Sequence, residues 1–160
     1  MRVVLAAVGR LKEAEEREIL ARYAKRFDQT GRALGLGPLV FVELPESRAV
    51  TAAERKSDEA QRLLKAAGSA GLKIALDVEG RGHPSEAFAK LLAKYRDGGV
   101  KSAAFLIGGP DGHGDAALEA ADVKLSLGAM TLPHGLARVV LVEQLYRAAT
   151  ILAGHPYHRG

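Results

Sequence analysis

Three consecutive stretches decide the reading: Phe105–Gly114 (FLIGGPDGHG), Lys124–Gly154 (KLSLGAMTLPHGLARVVLVEQLYRAATILAG) and the ending His155–Gly160 (HPYHRG). The first is a buried strand that leaves through a glycine-rich loop. The second begins as a short strand, passes an apolar turn and becomes a long apolar helix from about Gly135 to Ala153. The third is a tail of His, Pro, Tyr and Arg, side chains able to move protons and grip phosphate. Two glycine-containing loops that can hold a nucleotide-like ligand, followed by such a tail, point to an enzyme.

Upstream, Val3–Val8 (VVLAAV) closed by Gly9 has the pattern of a buried first strand. Leu11–Phe27 has amphipathic helix spacing, with Leu20, Tyr23, Ala24 and Phe27 on one face. Leu39–Leu44 is the next strand, and Thr51-Ala-Ala-Glu54 is a capping box for a helix running to Gly68. Leu72–Val78 is the third strand, Ser85 is positioned to cap a helix through Asp97, and Ser102–Ile107 is the fourth strand. A short helix near Asp115–Ala121 and a strand at Val123–Leu127 complete the set. Strands alternating with helices predict an α/β fold, a mostly parallel sheet flanked by helices, built as one domain over residues 1–160.

Composition narrows the classes. Nearly half of the 160 residues are hydrophobic (48%) and 26% are charged, which is globular rather than disordered. No signal peptide is expected after Met1-Arg2, and Arg138, Glu143 and Arg147 interrupt the longest apolar run, which argues against a membrane span. With no cysteine, disulfides, thiol catalysis and thiolate metal sites are excluded, and a cytoplasmic location is expected. The net charge of +4 is spread over both halves, so a polyanion-binding surface has to be assembled by folding.

In parallel sheets ligands sit outside the carboxyl ends of strands. Three loops qualify: the one after Leu76-Asp77-Val78, the one at Gly108–Gly112, and the turn Leu127–Leu132. Gly112-His-Gly114-Asp-Ala-Ala117 matches a dinucleotide fingerprint, but it lies several residues past the strand end and no ribose-binding acid follows. A P-loop is absent. His155 and His158 lack a partner set for zinc, so no metal site is expected.

Leu106–Gly112, Leu125–His134, Arg138–Ala148 and the ending His155–Arg159 together resemble the ribosomal RNA large subunit methyltransferase H family, small members of the SPOUT (knotted α/β) methyltransferases. The likeness spans essentially the whole chain. It implies a single knotted domain whose C-terminal segment threads a loop, and a homodimer with S-adenosylmethionine as donor. The implied reaction is methylation of N3 of a pseudouridine in large-subunit (23S) rRNA on the assembled ribosome. Cofactor contacts carried over from the family fall on Leu76, Gly108, Leu127, Gly128, Ala129, Met130, Thr131 and Leu132.

The chemistry agrees with that assignment. A sulfonium methyl is already activated, so the protein has to align donor and acceptor and take up the acceptor's imide proton. His158 is the tail group that titrates nearest neutrality; Tyr157 orients it or stacks on the base, and Arg159 holds phosphate or developing charge. These three are the candidate catalytic residues, with Arg147, His155 and Arg159 as RNA contacts. The tail is expected to be mobile without RNA. Glu143 and Arg147, at i,i+4, either pair on the helix or leave Arg147 free for RNA. The apolar residues of the last helix cover more than one face, which predicts cover from a second subunit. A non-catalytic rRNA-binding or ribosome-assembly factor is the alternative, distinguished by having no cofactor pocket.

Overall fold

The computed structural model describes all residues, Met1–Gly160. Five strands, β1 (Arg2–Val8), β2 (Leu39–Leu44), β3 (Leu72–Gly82), β4 (Ser102–Ile107) and β5 (Val123–Ser126), form one parallel sheet in the order β2-β1-β4-β3-β5. The helices are α1 (Ala14–Gly31), α2 (Ala52–Ala67), α3 (Ser85–Asp97), α4 (Asp115–Ala120) and α5 (His134–Leu152).

The period of two along the central strands divides the core. In β1, Val3, Leu5 and Ala7 join a large cluster with residues of α1, α3 and α5, while Val4, Ala6 and Val8 join a smaller one with Leu63 and Ala67 of α2. Because helices cover both faces, β1 and β4 are apolar almost throughout, as buried parallel strands must be.

Several elements differ from the expectation for physical reasons. Helix α1 begins at Ala14, not Leu11, because Leu11 is buried in extended chain and its N–H donates to Glu43 Oε2 at 2.6 Å. Thr51 caps α2 as expected, its Oγ1 accepting from Glu54 N–H at 3.1 Å. Ser85 does not cap α3; Pro84 occupies that position, and Ser85 Oγ turns inward to donate to Gln144 Oε1 at 2.7 Å. Strand β3 runs past Val78 to Gly82, and its pairing with β5 jumps from Leu76 to Arg81, so the intervening residues bulge out of the sheet.

Helix α5 lies across the sheet between α1 and α3, burying Leu141, Val142, Leu145, Ala148 and Ala149 but leaving Leu136 exposed and Val139 and Val140 half-buried. Its first turns reach back to the far strands. The buried Arg138 donates from Nη2 to the carbonyls of Val8 (3.2 Å) and Gly9 (2.8 Å) and from Nη1 to Glu43 Oε2 (3.1 Å). The chain thus leaves β5 at one edge of the sheet and is pinned at the end of β1 and β2. No helix is long and apolar enough to cross a membrane.

Candidate active site

The carboxyl ends of β3, β4 and β5 open into a cleft of about 520 Å³, within the range of small-ligand sites. Of the eight residues expected to hold a cofactor, Leu76, Gly108, Leu127, Gly128, Met130, Thr131 and Leu132 line it. Ala129 is in the same turn but is exposed and contributes nothing to the lining. Val78, Met130 and Leu132 are exposed large apolar side chains, and all three sit on this cleft. Water-facing apolar groups around a concavity mark a ligand-binding groove.

The glycine loop is shaped by close backbone approach. A Cβ on Gly108 would lie 3.1 Å from the Gly112 carbonyl carbon, and Gly112 has a φ of +89°, so both need glycine. Gly109 is wedged in behind: a Cβ there would lie 2.9 Å from Glu59 Oε1 and 3.0 Å from Val8 Cγ1. Arg55 anchors the loop from outside, donating from Nε to Asp111 Oδ2 at 2.8 Å and from Nη1 to the carbonyls of Ala49 and Val50. Hydrogen bonding to that guanidinium holds the Asp111 carboxyl below the usual carboxylate range.

His113 and His134, which the sequence reading does not assign to the site, also line the cleft. Burial pushes the His113 pKa down, outweighing the main-chain groups of Leu76 and Leu106 beside it, and keeps the ring neutral. Its only signal in the sequence was a histidine inside a glycine loop directly after a strand. No group of three or more His, Cys, Asp or Glu is placed to hold a metal ion.

None of the tail residues lines this cleft. The tail lies against α5 and the start of α3. Tyr157 Oη donates to Glu143 Oε1 at 2.9 Å, and its ring lies 4.6 Å from that of Tyr146. Burial, then the Glu143 hydrogen bond, push the Tyr157 phenol well up, so it stays protonated. Arg147 donates to Glu143 Oε1 from Nε (3.0 Å) and Nη2 (2.7 Å), so the helix pair forms and the cation is largely committed inside the chain. His158 stands between Arg147 Nη1 (3.2 Å from Nδ1) and Glu86 Oε1 (2.8 Å from Nε2). A guanidinium only donates and a carboxylate accepts, so His158 Nδ1 is the acceptor and Nε2 carries the proton. His155 and Arg159 are exposed.

Residues 1–158 match the family described as "Predicted SPOUT methyltransferase". The chain is 51% identical over 159 residues to a ribosomal RNA large subunit methyltransferase H of Xanthobacter autotrophicus, covering 99% of each. It is 50% identical to the protein of the same name in Brucella anthropi, again over 99% of each. Among solved structures, a probable methylase family protein from Haemophilus influenzae superposes with a TM-score of 0.56 at 15% identity, over 99% of this chain and 70% of that one. That likeness concerns the fold alone.

Proposed function

Because the chain belongs to the SPOUT methyltransferase family, we propose that the cleft at the ends of β3, β4 and β5 is its S-adenosylmethionine site. The chain is a methyltransferase of large-subunit (23S) rRNA. The observation that carries the site is the convergence of Leu76, Gly108 and the Leu127–Leu132 turn on one cavity. The cleft fits the group: Leu76, Leu127, Met130 and Leu132 offer apolar walls to adenine, and main-chain groups of the Gly108–Gly112 loop are bare enough to meet its polar edge. Main-chain groups of the Leu127–Leu132 turn would meet the amino-acid end.

When bound, S-adenosylmethionine supplies a methyl group on a sulfonium centre, whose bonding pair stays with sulfur as the methyl leaves. The acceptor is N3 of a pseudouridine, which forms the new N–C bond and gives up its proton. His158 takes that proton, delivered through solvent, at Nδ1 once RNA phosphate draws Arg147 off it, and the Glu86 carboxylate on Nε2–H stabilises the imidazolium that results. Tyr157, held protonated, stacks on or donates to the base. Arg159 and His155, both exposed, and Arg147, once released from Glu143, hold the RNA backbone.

The working unit is a cytoplasmic homodimer of one domain, residues 1–160, with the C-terminal segment threaded through a loop as a knot, acting on the assembled ribosome. Support comes from the single sheet that joins β1 to β5, from the return of α5 to β1, and from the half-buried apolar residues Val139 and Ile151 on α5. Radiolabelled methyl donor offered with free rRNA or with ribosomal particles tests substrate and context together. Label in the particles alone is expected, and no label in either refutes the reading. Removal of residues 157–160 should abolish transfer while leaving cofactor affinity within a few-fold; unchanged turnover refutes the tail's role. A non-catalytic assembly factor would show no thermal shift with S-adenosylmethionine.

A further inference from the structure

A second cavity, of about 470 Å³, lies behind the cofactor cleft and shares Leu125, Leu127 and Gly128 with it. A smaller cavity of about 220 Å³, beside Phe41 and Leu20, shares no residue with the cleft. Gly128 borders both cavities. The residue has a φ of +138°, and a Cβ placed on it would meet nothing within 4 Å.

The walls of the second cavity are mainly apolar, with Phe88, Val140 and Leu141, but they carry a convergent polar pair. Ser85 Oγ donates to Gln144 Oε1 at 2.7 Å, and Gln144 Nε2 donates to Glu143 Oε2 at 2.8 Å. Glu143 is the carboxylate that also holds Tyr157 and Arg147, and Glu86, next to Ser85, holds His158. One hydrogen-bonded chain therefore runs from the lining of this cavity to the proton-handling tail. The inward turn of Ser85 gives this chain its first donor.

Resting on the methyltransferase reading, we propose that this cavity is the acceptor subsite: it receives the target base, extruded from the rRNA, with Ser85 and Gln144 holding the imide edge of a uracil-type ring. A base buried in folded RNA has to leave its stack before N3 can face a donor, and extruded bases enter fitted pockets read through their hydrogen-bonding edge. Transfer also needs the reacting atoms about 3–3.5 Å apart, which only a cavity sharing a wall with the donor site allows. An imide edge offers two carbonyl acceptors flanking an N–H. A serine hydroxyl and a carboxamide N–H supply the two matching donors, in exchange for the bonds they make to each other and to Glu143. With the oxygens held, N3 loses its proton through solvent to His158 Nδ1 as the methyl arrives, since no tail residue lines this cavity.

The test uses the full chain with ribosomal particles. Val140→Trp fills the cavity, and Gln144→Leu removes the carboxamide with little change of volume. Both variants should bind S-adenosylmethionine within twofold of the parent by calorimetry. Val140→Trp should raise the particle KM or lower kcat at least tenfold, and Gln144→Leu should lower kcat/KM at least tenfold. If Gln144→Leu turns over with parental kcat and KM, the subsite is wrong, whatever the folding of Val140→Trp. A change in oligomeric state without a change in kcat/KM would assign the cavity to a second copy of the chain and equally overturn the proposal. If the parent binds cofactor but labels no particle, the rRNA reading itself falls and takes the subsite with it.

Discussion

Replacing Arg138 by Met keeps most of the stem volume and deletes the guanidinium that ties α5 to the end of β1. The side chain is 3% exposed and donates to two main-chain carbonyls, Val8 and Gly9, and to Glu43. Its loss strands both carbonyls beneath a helix. A hydrogen bond from a charged donor contributes about 1.5–3 kcal/mol. The Glu43 carboxylate is 40% exposed, so water compensates most of that partner's loss, and it keeps the N–H of Leu11. The expected loss is about 3–5 kcal/mol, the range for removing one partner of a buried charged contact. For a domain of this size that lowers Tm by roughly 10 °C. Guanidinium denaturation with and without S-adenosylmethionine measures it. Cofactor binding should weaken as well, since His134 and Ala137, in the same turns of α5, line the cleft. Arg138→Lys, which cannot span all three acceptors, should fall between the two. A loss under about 1 kcal/mol for Arg138→Met would refute the idea that this residue fastens the returning helix.

Gly109→Ala drives a methyl group against Glu59 and Val8 and should cost about 1–3 kcal/mol and weaken cofactor binding, read by denaturation and calorimetry; parental values would mean the loop is not wedged. Hydrogen bonding to His158 depresses the Glu86 pKa below its ordinary 4.5. The tail contact is thus fully present above pH 4.5 and is lost as pH falls through the depressed value, seen as a change in the His158 ring resonances; Glu86→Gln should abolish that step. His113, whose pKa is depressed by burial from 6.5, takes up its proton more readily unfolded than folded, so stability declines as pH falls below 6.5. His113→Leu should flatten the Tm difference between pH 7.5 and pH 5.5, and an unchanged difference would place the ring in water.

The strands and the cleft were legible because parallel buried strands announce themselves as short apolar runs, and because the Ile-Gly-Gly block and the Leu127–Leu132 turn carry a family likeness. Leu39–Leu44 and Ser102–Ile107 match the expected strands residue for residue. What stayed hidden depended on contacts far apart in sequence. Ser85 has the position of a cap, yet a partner 59 residues away takes its hydroxyl. Arg138 reads as an interruption of an apolar run, and only the return of α5 to β1 gives it three acceptors. The tail looked free because its partners, Glu143 and Glu86, sit on two different helices.

The position of β1 sets a schedule for synthesis. Arg2 pairs with Ser102 across the inner edge of β1, so that edge stays bare until β4 has been made. At ordinary elongation rates of about 5–20 residues per second, the nascent chain carries an unsatisfied, almost wholly apolar strand edge for roughly 5–20 seconds. Every molecule of this enzyme therefore passes through a sticky interval while still attached to a ribosome, and overexpression without holdase chaperones should deposit it as aggregate before β4 emerges.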